Sequence, residues 1–192
     1  MKNVLIIGAG GNIASKVIDM LKGEKDVHLT LYLRSARRLR MSPPAGCRLI
    51  EGDVLDYPKL KAAMTGQEIV YINLAGDLEA MTRNIVRAMK EGGVRRVLLI
   101  SSIGIYEKPL RAVLKPYRAA ADLIEGSGLD YTVLRPAWFT DVEEVDYELT
   151  HKGEPEKGSV ISQKSLASFI VKLIEKPDLY VGESLGINKP RS

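Results

Sequence analysis

The sequence is poor in residues that build covalent or metal-held structure. It contains one cysteine, Cys47, which excludes an internal disulfide and fits a reducing cytoplasm. Its two histidines, His28 and His151, lie far apart in the sequence, and with one cysteine they make no metal-ligand set. We therefore expect a protein without a metal centre.

Long apolar runs are also missing. None approaches the ~20 residues that a helix needs to cross a membrane, and the N-terminus shows no basic-then-apolar leader. The 192 residues, 45% hydrophobic and 27% charged, fit one globular domain over residues 1–192. These features predict a cytoplasmic protein with no membrane partner.

The charge is mildly basic, with 28 Lys and Arg against 24 Asp and Glu. Such a surplus is compatible with nucleic-acid binding, and it also suits a protein that holds an anionic cofactor. One dense cluster contains Arg34, Arg37, Arg38 and Arg40. Because the motifs described below give this cluster another use, we expect no nucleic-acid partner.

Strand patterns and helix patterns alternate along the chain. The run NVLIIG is continuously apolar, as in a strand buried on both faces, and NIASKVIDMLKG then repeats apolar residues at helical spacing. The alternation recurs at least five times, which predicts an α/β, Rossmann-like doubly wound parallel sheet with helices on both faces. A loop-rich stretch follows, with a short strand over residues 147–150 and a last helix capped by Ser162, and we expect a short C-terminal substrate lobe there.

Small residues recur at fixed spacing between the first strand and the first helix. Gly8 permits a sharp turn out of the strand, Gly11 lets the backbone approach a pyrophosphate, and Ala14 keeps the helix close to the sheet. Asn12 and Ile13 begin the helix, where unpaired N–H groups and the helix dipole favour an anion. The stretch predicts a dinucleotide site, and a simple tight turn is the alternative.

The spacing Gly8-x-x-Gly11-x-x-Ala14 resembles the glycine pattern of the atypical and extended short-chain dehydrogenase/reductase superfamily. Three later segments resemble the same superfamily: GDVLD, NLAG and SGLDYTVLRPAWFT. The last is most similar to the NmrA-like NAD(P)H-binding branch, which includes NADH-flavin reductases and biliverdin reductase B. The resemblance covers about residues 2–175 and implies an NAD(P)-binding Rossmann fold.

The resemblance also implies contacts along the cofactor. Asp53 would accept a hydrogen bond from the adenine amino group, and Val54 would pack on the adenine ring. Further contacts are implied for Leu74, Ala75 and Gly76 beside the nicotinamide ribose, for Pro136, Ala137 and Trp138 in the nicotinamide pocket, and for Ser101 at the end of the fifth strand. Biliverdin reductase B has a histidine where this chain has Ala137, so we do not expect a biliverdin reductase.

Arg34 ends the second strand, where an NAD-preferring protein has an acidic residue that holds the ribose 2′-hydroxyl. A guanidinium cannot accept that hydrogen bond, but it can pair with a 2′-phosphate, and Arg38 could contact the phosphate from the other side and stack on the adenine. The cluster therefore predicts NADP as cofactor, with NADPH preferred over NADH. A solvated basic loop is the alternative.

The catalytic set of the superfamily is incomplete after the fifth strand. Ser102 and Tyr117 are the candidate catalytic residues, but Ala121 stands four residues after Tyr117, where the family's Tyr-x-x-x-Lys pair has lysine. That lysine would lower the tyrosine pKa and so allow proton exchange with a carbonyl. We therefore predict a reductase that works without a Tyr-x-x-x-Lys dyad.

Oxidised flavins and quinones suit such a site because flat acceptors chiefly require positioning. The predicted function is an NADPH-dependent oxidoreductase that transfers hydride to a flavin- or quinone-like planar acceptor, with FMN and FAD as candidate substrates. Trp138, Phe139 and Tyr106 are candidate stacking surfaces, and a packed core position is the alternative for Trp138. The alternative function is a non-catalytic NADP(H)-binding redox sensor. A homodimer is compatible with the sequence, but no apolar face can be assigned to it.

Overall fold

The computed structural model describes residues 1–191. Within this range the strands are β1 (Lys2–Ile7), β2 (Val27–Leu33), β3 (Arg48–Glu51), β4 (Ile69–Ile72), β5 (Arg96–Ile100), β6 (Asp130–Pro136), β7 (Trp138–Thr140), β8 (Glu148–His151), β9 (Val160–Ser162) and β10 (Glu183–Asn188). The helices are α1 (Asn12–Met20), α2 (Tyr57–Ala63), α3 (Leu78–Gly92), α4 (Lys115–Glu125) and α5 (Gln163–Glu175). No helix among residues 1–191 is long and apolar enough to span a membrane.

Eight strands form one sheet in the order β3-β2-β1-β4-β5-β6-β10-β8. All neighbours are parallel except the edge strand β8, which runs antiparallel to β10. The order of the strands reverses between β1 and β4, so the connections from these two strands leave in opposite directions. A crevice is expected at such a point, outside the carboxyl ends of the strands.

The helices cover both faces of the sheet. In β1, Val4 and Ile6 pack in the cluster that contains the apolar faces of α1 and α5, whereas Leu5 and Ile7 pack in the cluster that contains those of α2, α3 and α4. All four side chains are fully buried. Burial on both faces explains the continuous apolar run in the sequence, and the predicted doubly wound Rossmann-like fold is confirmed.

Side-chain caps fix the start of three helices. Asp56 accepts a hydrogen bond from the N–H of Lys59 before α2, and Asp77 accepts one from Ala80 before α3. Ser162 does the same for the N–H of Ser165 before α5, which confirms the predicted cap. Each cap satisfies one of the N–H groups that the first turn of a helix leaves unpaired.

The segment between β6 and α5 has more structure than the sequence indicates. Strand β8 confirms the predicted short strand, but β7 and β9 were expected to be loop, and they pair as a separate two-stranded parallel sheet. Each of these strands has three residues. A run that short shows no clear alternation of polar and apolar residues, so the prediction of loop was wrong there.

We expect Ser162→Ala to lower the free energy of unfolding by about 1–2 kcal/mol, because it removes an N-cap. The hydroxyl also donates to the carbonyl oxygen of Glu144 at 2.8 Å, which ties the β7–β8 connection to α5. Urea denaturation would measure the loss. Ser168→Ala in the same helix is the control, because no hydrogen bond involves its hydroxyl within residues 1–191. Equal effects of the two substitutions would contradict the assigned role of Ser162.

Candidate functional site

A cavity of ≈ 380 Å³ lies at the predicted crevice, beyond the carboxyl ends of β1, β2 and β4. Nine residues predicted to bind a cofactor line this cavity: Gly8, Gly11, Arg34, Arg38, Asp53, Val54, Leu74, Ala75 and Gly76. They come from four separate connections of the chain. The topology of the sheet therefore brings most of the predicted cofactor residues to one place.

The turn between β1 and α1 fits closely against the residue that follows β4. Gly8 has a φ of 86°, and a Cβ there would overlap the carbonyl oxygen of Asn73. At Gly11 a Cβ would lie 2.6 Å from Nδ2 of Asn73. The N–H of Gly11 donates to the carbonyl oxygen of Gly8 at 3.0 Å, which closes the turn. Packing therefore requires glycine at position 8, whereas a side chain at position 11 would displace the Asn73 amide; the missing side chains also leave room for a ligand's phosphate.

The first turn of α1 has open donors. Its N-cap residue is Gly11, which has no side chain to cap the helix. The N–H groups of Asn12, Ile13 and Ala14 meet no acceptor within residues 1–191. Ile13 can contribute only its backbone, because its side chain is 4% exposed and packs in the core. Open N–H groups at the positive end of a helix dipole suit an anion.

Two arginines add positive charge at the cavity. Arg34 directly follows β2, and Arg38 ends the short 3₁₀ turn Ala36–Arg38. Both are exposed and line the cavity, and neither forms an ion pair within residues 1–191. The nearby carboxylate of Glu51 is engaged because it accepts a hydrogen bond from the N–H of Ala36. The two guanidinium groups are therefore free to bind an anionic ligand.

Tyr32 lines the cavity beside Asp53, and it was not identified from the sequence. Its hydroxyl donates to the carbonyl oxygen of Asp53 at 2.8 Å, and the Asp53 carboxylate accepts from the N–H of Leu55 at 2.8 Å. Burial, together with the negative charges of Asp56 and Asp53, raises the pKa of Tyr32 to about 12. The hydroxyl therefore stays a donor at neutral pH. Val54 is 5% exposed, so only a small part of its side chain faces the cavity.

Asn73, the first residue of the segment NLAG, also lines the cavity, although it was not among the predicted contacts. It is the first polar residue after the fully buried strand β4, and its N–H donates to the carbonyl oxygen of Ile7 at 2.9 Å. A polar residue at the carboxyl end of a buried parallel strand is a recognisable signal, because ligand crevices lie at that edge.

The other predicted residues lie outside this cavity, along the same edge of the sheet. The Ser101 hydroxyl donates to the carbonyl oxygen of Tyr117 at 3.3 Å, and the Ser102 hydroxyl donates to that of Ile103 at 3.2 Å. The N–H of Ile103 donates to the carbonyl oxygen of Pro136 at 3.0 Å. These bonds link the ends of β5 and β6 to the start of α4.

The position four residues after Tyr117 is occupied by Ala121, which is fully buried. The spacing Tyr-x-x-x-Lys also occurs at Tyr57 and Lys61 of α2, a pair that was not identified from the sequence. Lys61 forms an ion pair with Glu91 of α3 at 2.7 Å, and the Arg87 guanidinium lies 4.0 Å from the centre of the Tyr57 ring. This second pair therefore contacts α3, and neither residue lines the cavity.

The two aromatic residues that follow β6, Trp138 and Phe139, are exposed at this edge of the sheet. Trp138 is 69% exposed and Phe139 is 47% exposed, so a packed core position for Trp138 is wrong. Pro136 and Ala137, which precede them, are buried.

Tyr106 is not a free stacking surface. Its ring lies near the cationic groups of Arg118, Arg135 and Lys152, at 4.9, 5.1 and 4.6 Å from the ring centre. Its hydroxyl also contacts Glu125 and Ser184. The prediction that Tyr106 stacks on an acceptor is therefore wrong.

A family model described as NAD(P)H-binding matches residues 8–177. The chain belongs to this NAD(P)H-binding family. The match begins at the glycine turn and extends just past α5, so it includes every predicted site residue. The resemblance to the atypical, NmrA-like short-chain dehydrogenases/reductases is confirmed, and the chain has an NAD(P)H-binding, oxidoreductase-like fold.

Two solved structures agree in fold with this NAD(P)H-binding chain over nearly their whole length, and one further relative matches in sequence. A Rossmann-fold NAD(P)-binding family protein from Shigella flexneri is 47% identical, with a TM-score of 0.93, over 100% of this chain and 95% of the other. A short-chain dehydrogenase/reductase from Veillonella parvula, solved in complex with NADP, is 27% identical with a TM-score of 0.87, over 99% and 95%. The uncharacterized sugar epimerase YhfK of Bacillus subtilis is 24% identical over 181 residues, which are 85% of this chain and 78% of YhfK.

Gly8→Ala should lower the free energy of unfolding of this protein much more than Gly23→Ala does. Both glycines have positive φ, 86° and 93°, so each alanine suffers the left-handed backbone cost of roughly 1–2 kcal/mol. Only the Cβ at Gly8 overlaps a neighbouring backbone atom, whereas Gly23 has open space. We expect a loss above about 3 kcal/mol for Gly8→Ala in urea denaturation. Equal losses would show that the contact with Asn73 is unimportant.

Proposed function

We propose that the protein is an NADPH-dependent oxidoreductase that transfers hydride to a flavin- or quinone-like planar acceptor. The observation that carries the proposal is the pair of unpaired arginines, Arg34 and Arg38, on the cavity that the glycine turn opens. Two guanidinium groups at the end of the second strand suit the 2′-phosphate that distinguishes NADPH from NADH.

The residues of the cavity fit the parts of NADPH in order. The open N–H groups at the start of α1 bind the pyrophosphate, and Arg34 and Arg38 bind the 2′-phosphate. Asp53 and Val54 contact the adenine, while Leu74, Ala75 and Gly76 pass beside the nicotinamide ribose. The nicotinamide then reaches the edge formed by Ser101, Pro136, Ala137 and Trp138. The complex of the Veillonella parvula relative with NADP supports NADP as the ligand.

The acceptor type follows from the proton donors available. Reduction of a ketone places charge on one oxygen, which needs a positioned acid. Tyr117 lacks the lysine that would tune it, since Ala121 stands at that position, and Ser102 uses its hydroxyl hydrogen on the Ile103 carbonyl. An oxidised flavin instead spreads the added charge over its ring system. It can therefore take its proton from water.

The protein's part in the reaction is mainly to hold the nicotinamide ring against the ring of the acceptor in the orientation that hydride transfer needs. Bound NADPH supplies the hydride and leaves as NADP⁺, while the flavin gains that hydride at a ring nitrogen and one proton from solvent. The exposed rings of Trp138 and Phe139 provide a stacking surface at this edge.

Purified protein mixed with NADPH and FMN, FAD or a simple quinone should consume NADPH faster than buffer does. The loss of NADPH absorbance under saturating conditions measures this directly. No turnover with any of these acceptors would contradict the proposed activity. Tight NADPH binding without turnover would instead favour the non-catalytic redox sensor.

Arg34→Gln should lower kcat/KM for NADPH about tenfold, because a charged hydrogen bond to the 2′-phosphate is lost. The value for NADH should stay unchanged, since NADH has no such phosphate. Arg40→Gln is the matched control, because Arg40 belongs to the same basic cluster but does not line the cavity. Equal losses for NADPH and NADH in Arg34→Gln would contradict the assigned role.

A further inference from the structure

The segment between β5 and α4 carries positive charge that the proposed cofactor site does not use. We call residues 108–115, KPLRAVLK, the basic segment. Leu114 is 8% exposed and Leu110 is half-buried, and both pack on the core beside α4. This anchoring leaves Lys108, Arg111 and Lys115 exposed.

The three cations have no internal partner. Within residues 1–191 neither Lys108, Arg111 nor Lys115 forms an ion pair. Glu107 is the acidic residue next to them, and its Oε2 lies toward Gly104, 3.3 Å from where a Cβ there would stand. The start of α4 adds to the positive field, because its N-cap residue, Leu114, supplies no capping side chain.

The basic segment belongs to the acceptor edge of the sheet. At its approach from β5, the N–H of Ile103 donates to the carbonyl oxygen of Pro136 at 3.0 Å. At its exit into α4, the hydroxyl of Ser101 donates to the carbonyl oxygen of Tyr117 at 3.3 Å. The basic segment lies between these two bonds, in the connection that follows the carboxyl end of β5, and connections of this kind lie at the ligand-binding edge of a parallel sheet.

The acidic connection on the other side of this edge does not balance the charge. Of the four acidic side chains in residues 141–146, Glu143 pairs with Lys16 at 3.4 Å and Lys164 at 3.2 Å, and Glu144 pairs with Lys189 at 2.8 Å. Asp141 accepts a hydrogen bond from Gln163 at 2.7 Å. Glu143 and Glu144 are therefore compensated within the chain, whereas the positive charges of the basic segment are not.

We propose that the basic segment binds an anionic group of the acceptor, so that the preferred acceptors are planar molecules that carry a phosphate or a carboxylate. This inference rests on the proposed reductase function, because it assigns the substrate class of the same site. Val113, 64% exposed within the segment, gives the acceptor an apolar contact between the cations. Free cations facing an anionic substrate raise its local concentration as well as its affinity.

FMN and riboflavin test the charge preference, because they share one ring system and differ by a phosphate of about −1.5 to −2 charge. Wild-type protein should have a higher kcat/KM for FMN than for riboflavin. The triple variant Lys108→Gln, Arg111→Gln, Lys115→Gln should lower the FMN/riboflavin ratio by at least about fivefold, since each exposed contact is weak but three act together. KM for NADPH should not change.

The matched control is Lys22→Gln, Lys25→Gln, Lys90→Gln, which removes the same net charge from exposed positions elsewhere. It should keep the wild-type ratio. Added salt should reduce the preference in the wild type, because it screens exposed charges. An equal kcat/KM for the two flavins, or a ratio that the basic-segment variant leaves unchanged, would overturn the inference while leaving the reductase proposal intact.

Binding provides a readout that does not depend on turnover. With NADP⁺ present, quenching of flavin fluorescence on titration with protein gives the affinity for each flavin. If neither flavin is reduced but FMN binds more tightly through the basic segment, the reductase proposal fails and the anion site stands. Equal affinities for FMN and riboflavin in the wild type would overturn the anion site.

Discussion

The close approach of the glycine turn to Asn73 is the contact on which the site depends. Because Gly8 and Gly11 lack side chains, the β1–α1 connection lies directly against the end of β4. The same turn lines the cavity and leads directly into the first turn of α1, whose N–H groups are open. Packing requires glycine at position 8, where a Cβ would overlap a backbone oxygen, and the turn that this glycine forms also lines the cavity.

Two groups of unpaired cations lie along the carboxyl edge of the sheet. At the cavity, Arg34 and Arg38 are free, and at the neighbouring edge the basic segment is free. Some charged side chains elsewhere are matched, as in the group of Lys61, Arg87 and Glu91, where hydrogen bonds from Lys61, Tyr57 and Arg87 lower the pKa of the Glu91 carboxyl to about 2. Arg34 and Arg38 stand out among the unpaired cations because they also line the cavity.

Much of the fold was predictable because its signals are local. The apolar run of β1 requires burial on both faces, and the cap at Ser162 depends on residues within one helical turn. Features that depend on several distant elements were not predictable. The role of Tyr32 requires the β3–α2 connection to reach it, and the cations around Tyr106 come from α4, β6 and the residue after β8. The three-residue strands β7 and β9 were missed because they are too short for a periodic pattern.

Equilibrium titration of the protein with NADPH and with NADH tests the central claim most directly, namely that this cavity is a dinucleotide site built for a 2′-phosphate. The fluorescence of Trp138, the sole tryptophan, provides the signal at the nicotinamide edge. We predict saturable binding of both nucleotides, with NADPH bound more tightly. If neither nucleotide binds, the glycine turn is only a structural turn, and the assignments of cofactor and acceptor are both wrong.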